Sequence, residues 1–242
     1  MANWITHTRI ADILISKGLD VDVKGFCIGN VAPDCNIENE DWTAYIPAKE
    51  VTHFMNEKGN KTSCDYEAFY NEYIKDKVFE SKEEFSFLLG YYCHLITDAQ
   101  YQLFIRNKDR ITASFNRIKS NNELYGKIKD FPETFDSLKR VFGKWNVFAD
   151  IIELENEYIK KYPDCSYNAI LRNTKEFNDY LDFFPKDAIN RKLPIMIKEY
   201  DEWSKVKGSG FYFFSIEEYE NFIIETCNMI FEQIYVKNIN IM

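Results

Sequence analysis

Three features of this 242-residue sequence predict an all-α fold. Apolar residues recur at three- and four-residue spacing through most of it. Ser, Asp and Gly stand where those periodic segments begin or end. Few stretches alternate apolar and polar residues with period two, so little strand is expected.

Residues 6–17, THTRIADILISK, place His7, Ile10, Ala11 and Leu14 on one face, and Gly18 follows as a stop signal. Residues 65–79 space Tyr66, Phe69, Tyr70, Tyr73 and Ile74 helically, with Asp65 as N-cap. Residues 81–106 open with the capping-box pair Ser81 and Glu84 and are apolar nearly all round at their middle, as a central core helix would be. Further helical segments are expected at 110–119, 121–129, 132–142, 146–161, 166–182 and 215–234. GSGFYFFS (208–215) is the best strand candidate but reads better as a surface loop leading into the last helix. Residues 31–50 form the longest stretch that is neither helix nor strand, and a loop that long is usually functional or disordered. No repeat or linker divides the chain, so one domain over 1–242 is expected. Residues 1–105 carry its chemistry and 106–242 a supporting layer of helices.

Composition narrows the function classes. A hydrophobic share of 45% and a charged share of 29% are ordinary for a soluble globular protein. No apolar run approaches the ~18–20 residues that span a bilayer. The start has no basic region followed by an apolar stretch and a small-residue cleavage site, so the expectation is a cytoplasmic protein. Six cysteines without a CxxC pair do not form a disulfide framework or zinc ribbon. A net charge of −9 disfavours strong nucleic-acid binding, which needs a basic stripe.

The three histidines, His7, His53 and His94, all fall in the first 94 residues. His94 and Asp98 are four apart, so on a helix they project from one face and reach a common ion. Imidazole nitrogen and carboxylate oxygen suit zinc and related divalent ions. A metal would compensate the charge that an apolar helix otherwise buries at high cost. A core histidine hydrogen-bonded to a carboxylate would leave the same pair. In GNVAPD (29–34) Pro33 fixes the backbone just before Asp34, VTHF (51–54) presents His53, and ITHTRIAD (5–12) presents His7.

In order, the pattern is H…G-x-x-x-P-D…T-H…G-x-x-x-H-x-x-x-D. It resembles the zinc-dependent phospholipase C family, an all-helical bundle shared with fungal single-strand nucleases, over roughly the first 105 residues. The resemblance implies that Asp34, His53, His94 and Asp98 hold one metal and that Asp98 bridges to a second held by His7. It implies one or two zinc ions, with other divalent ions possible. Asp34 would be general base or orienter of the attacking water, and the substrate a lipid or small-molecule phosphoester. Two departures stand out. The secreted enzymes begin with a tryptophan whose amine and carbonyl bind metal, whereas Trp4 has three residues before it. The family's third metal uses two later histidines and a glutamate, but no histidine follows His94. Asp109, Asp130, Asp150 and Glu153 are the carboxylates available to rebuild that site. Tyr91, Tyr101, Trp42 and Tyr45 are candidates to line a pocket for a choline-like or acyl-bearing substrate, with packing or surface contact the plainer account of each. The alternatives are a nuclease or phosphatase of the same fold, and a non-catalytic, metal-stabilised helical binding domain whose ion has a closed shell.

Overall fold

The computed structural model describes residues 2–39, 44–56 and 64–239. The fold is all-α, as expected. The helices are α1 (Trp4–Ser16), α2 (Val23–Gly29), α3 (Lys49–Thr52), α4 (Tyr66–Phe69), α5 (Lys82–Arg106), α6 (Lys108–Lys119), α7 (Asn122–Ile128), α8 (Phe135–Phe142), α9 (Lys144–Lys161), α10 (Ser166–Ala169), α11 (Ala188–Trp203) and α12 (Ile216–Val236). Among the described residues the only ladder is β1 (Ile37–Glu38) against β2 (Tyr45–Ile46), antiparallel and two residues long.

The central element is α5. Ser81 caps it by accepting from Glu84 N–H at 3.1 Å. Glu84 does not reach back to Ser81; its carboxylate accepts from Glu80 N–H at 2.6 Å, so the expected box is half formed. A complete box caps α12, between Ser215 and Glu218. From Phe85 to Asp98 every residue of α5 is buried. Gly90 of α5 and Gly29 of α2 let these two helices meet backbone to backbone. A Cβ on Gly90 would collide with the Phe26 carbonyl, and one on Gly29 with the Phe87 carbonyl. Only glycine permits such an approach.

Two of the expected elements need correction. Over 166–182 the chain is helical only to Ala169 and through a 3-10 turn at Leu171–Asn173. Beyond it the Asn190 side chain takes over the backbone of Phe177, accepting from its N–H at 2.8 Å and donating to its carbonyl at 3.0 Å. That contact holds the segment extended while Phe177, Leu181 and Phe184 enter the core. The 65–79 helix gives way after Phe69 to a π turn that ends at Ile74. The segment 31–50 holds a 3-10 turn (Ala32–Asp34), the small ladder and α3.

Residues 208–215 form a loop whose anchor is Asp150. Its buried carboxylate accepts from the N–H groups of Ser209 (2.6 Å), Phe211 (3.1 Å), Phe213 (3.0 Å) and Phe214 (3.2 Å) and from the Ser209 hydroxyl. The cysteines are free thiols. No described helix is long and apolar enough to cross a membrane.

Because the α2–α5 contact has no room for a methyl group, Gly90→Ala is expected to cost about 3 kcal/mol or more. Urea unfolding measures this, and a loss under ~1 kcal/mol would show that the helices part freely.

Candidate metal centre

His94 and Asp98 lie one turn apart on the buried stretch of α5, with 0% and 2% exposure. The His94 Nδ1 atom is 2.8 Å from the Asn30 carbonyl at the end of α2. A carbonyl only accepts, so Nδ1 carries the proton and Nε2 presents a lone pair. His53, just past α3, is built the same way: Nδ1 is 3.2 Å from the Lys49 carbonyl and 2.9 Å from the Thr52 hydroxyl. Such fixing of the far nitrogen is the usual support of a metal-binding imidazole. Asp34 closes the 3-10 turn that Pro33 stiffens. His7 comes from α1 and stacks on His94, with ring centroids 3.8 Å apart and planes within 6°.

The ligand-type atoms converge. His53 Nε2 stands 3.4 Å from Asp34 Oδ1 and 3.6 Å from Asp98 Oδ2. His94 Nε2 is 3.6 Å from Asp98 Oδ2, and His7 Nε2 is 3.5 Å from Asp98 Oδ1. Ligands bound at 2.0–2.2 Å around a tetrahedral ion stand about 3.3–3.6 Å apart. Asp98 Oδ1 also accepts from Ala2 N–H at 2.7 Å. Ten buried side-chain polar atoms of the described residues lack a partner, and five belong here: His7 Nδ1 and Nε2, His53 Nε2, His94 Nε2 and Asp98 Oδ2. Leaving each unpaired costs about 1–3 kcal/mol, and a shared cation would answer four of the five. Two trios have their ligand atoms within 4.8 Å of one another: Asp34, His53 and His94, and His7, His94 and Asp98.

Burial lowers the His7 pKa to about 4, with the neighbouring His94 adding to the effect, so His7 is neutral at neutral pH and free to offer a lone pair. Burial also opposes the ionised form of Asp34, but the His53 and His94 imidazoles outweigh it and hold its carboxyl well below the usual range. At His94 burial is outweighed by Asp98 and Asp34, and its pKa is raised.

The structure brings together all five sequence-derived residues, His7, Asp34, His53, His94 and Asp98. It does not bring in the four carboxylates considered for a third ion. Asp109 and Asp130 are exposed, Asp150 holds the 208–215 loop, and Glu153 accepts from Gly208 N–H. Tyr91 and Tyr101 are buried in the core against Phe69 and Phe222. Tyr45 lines a cleft of about 600 Å³ that reaches Asp34, and Trp42 lies outside the described residues.

Sequence reasoning missed Glu155 of α9. It is 1% exposed and accepts from the Asn3 amide at 2.9 Å and from the Thr6 hydroxyl, at the turn of α1 that carries His7. Its signal was available: with Ile151, Leu154 and Tyr158 it falls on the apolar face of its helix.

A buried cluster of imidazoles and carboxylates, held by helices and open on one side to a cleft, defines a helical protein with a candidate metal site. Residues 5–101 match the family described as zinc dependent phospholipase C, so the resemblance read from the motifs is borne out over that stretch. No curated protein and no solved structure matches the chain.

Burial pushes the Glu155 pKa up from 4.5 to about 7. A raised carboxyl favours folding below its unfolded pKa, and that contribution is lost as pH rises from about 4.5 to about 7. The full effect is on the order of 3 kcal/mol. Glu155→Gln is expected to remove this slope. His7 contributes a slope of opposite sign to both proteins, so the difference between their metal-free unfolding curves isolates Glu155. Parallel curves across that window would refute the assignment.

Proposed function

We propose that the chain is a metal-dependent phosphoester hydrolase of phospholipase C-like activity, acting on a lipid or small-molecule phosphoester. Its ion, zinc by the donor set, would be held by Asp34, His53, His94 and Asp98, and a neighbouring ion by His7 with Asp98 shared between them. The observation that carries this is the convergence of three imidazole Nε2 atoms on two carboxylates at 3.4–3.6 Å. A divalent ion bound there supplies Lewis acidity, lowering the pKa of a water from about 15.7 to near 7 and polarising a phosphoryl oxygen.

The chain's own residues do the rest. Asn30 and Lys49 fix the tautomers of His94 and His53 through their carbonyls. Ala2 N–H holds one Asp98 oxygen. The Asp34 side chain is the one group of the cluster that is not fully buried, at 13% exposure, and it also lines the cleft. There its role is general base or orienter of the attacking water. That opening favours catalysis over a closed structural ion.

Elemental analysis tests the metal: purified protein is expected to carry zinc, and His53→Ala with His94→Ala to lose it. Unchanged metal content in the double variant would remove the proposal. In a screen of phosphocholine esters, other phosphodiesters, phosphomonoesters and single-stranded DNA, a lipid phosphodiester is expected to turn over fastest. Asp34→Asn is expected to lower kcat at least ~100-fold. Metal-dependent stability without turnover would instead establish the structural role.

A further inference from the structure

The cleft beside Asp34 carries a charge pattern that ion binding does not need. Three lysines line it. Lys192 is buried and paired with Glu38, so that charge is cancelled locally. Lys49 of α3 and Lys144 of α9 come from different walls, and neither forms an ion pair among the described residues. Both line the same cleft, and partial desolvation, then the nearby Lys49 and Lys139, lower the Lys144 pKa. Lys139 is itself paired with Asp136. Of the three lining carboxylates, Glu38 is paired with Lys192 and Asp34 faces the imidazole cluster, which leaves Glu199 alone against the Lys49 and Lys144 ammonium groups on the rest of the wall.

Of the four aromatic rings that line the cleft, Tyr200 and Trp203 pack edge to face on each other, and Tyr45 and Trp145 each already carry an ammonium group. Lys49 Nζ lies 4.2 Å from the Tyr45 ring centroid, and Lys144 Nζ lies 4.7 Å from that of Trp145. These are the positions a choline group would take over a ring face. A choline headgroup would therefore meet two ammonium ions, whereas a second phosphate or a carboxylate would pair with both.

We propose that this cleft selects phosphoesters whose headgroup bears a second anionic group, with Lys49 and Lys144 as its contacts, over choline esters. The inference rests on the phosphoesterase reading of the adjoining cluster.

The test uses metal-loaded full chain and two short-chain substrates, dihexanoyl phosphatidylinositol phosphate and dihexanoyl phosphatidylcholine. The ratio of kcat/KM is expected to favour the anionic ester by about ten-fold or more. Lys49→Gln with Lys144→Gln is expected to reduce that ratio by about ten-fold, chiefly through KM. Lys144→Glu alone, at a solvent-exposed position, is expected to shift it the same way with little change in stability. A preference for the choline ester, or variants that change both substrates equally, would overturn the proposal while leaving metal-dependent hydrolysis intact. Calorimetry with inositol phosphate separates the opposite case. If no ester is hydrolysed but binding still depends on both lysines, the hydrolase reading fails and the recognition stands; binding that ignores the lysines overturns it.

Discussion

The site depends on how closely α2 and α5 approach. Gly29 and Gly90 each face a carbonyl of the other helix, so the contact is reciprocal and has no slack. Its consequence reaches the chemistry directly. Asn30 follows Gly29, and its carbonyl accepts a hydrogen bond from His94 Nδ1–H, one turn beyond Gly90. The same short run continues through Pro33 to Asp34. One close contact therefore sets both the tautomer of a ring on α5 and the position of a carboxylate after α2. A wider spacing between the helices would leave that carbonyl out of reach of the ring.

The second organising feature is electrostatic. Apolar surroundings penalise isolated charges, yet two carboxylates and three imidazoles share one buried region. The chain limits the cost in stages. His7 is held neutral by burial and by its stacking on His94. His53 and His94 give their Nδ1 protons to backbone carbonyls and turn lone pairs inward. Asp98 takes a backbone N–H on one oxygen. A surplus of negative charge and unpaired lone pairs remains. Raising the His94 pKa answers part of it with a proton. A divalent cation answers more of it, in competition with that proton, so metal uptake would release protons and add to folding stability.

How much of this was legible in the sequence follows from what each signal encodes. Helical periodicity located α1, α5, α9 and α12 because their buried faces are long enough to repeat. It passed over α11, which carries Pro194 internally, and α2, a seven-residue helix containing Gly25 and Gly29. By propensity alone those residues argue against helix, and tertiary packing overrode them. The extended course of 174–181 was equally hidden, since it depends on the Asn190 side chain, which no local pattern announces. At the site, His94 and Asp98 were readable as a pair from spacing alone. The glycines of the same motif were visible but silent, because their role exists only between two helices. Glu155 and Asp150 show the complementary case: a carboxylate on an apolar face signals a buried task without saying which one.

Those two carboxylates bear on how the chain departs from the family that its residues 5–101 match. Asp150 and Glu153 are committed to the 208–215 loop, and Glu155 to the first turns of α1, so none of the three is left to replace the later histidines of a third metal site. What α9 contributes instead is support. Glu155 secures the turn that carries His7, while Lys144 and Trp145 at the helix start reach the cleft wall opposite Lys49. Lys49, Lys144 and the ion-paired Lys192 thus place ammonium groups in the cleft outside the imidazole–carboxylate cluster rather than within it. In a protein of net charge −9, a lining in which three lysines balance three carboxylates is less negative than the chain as a whole.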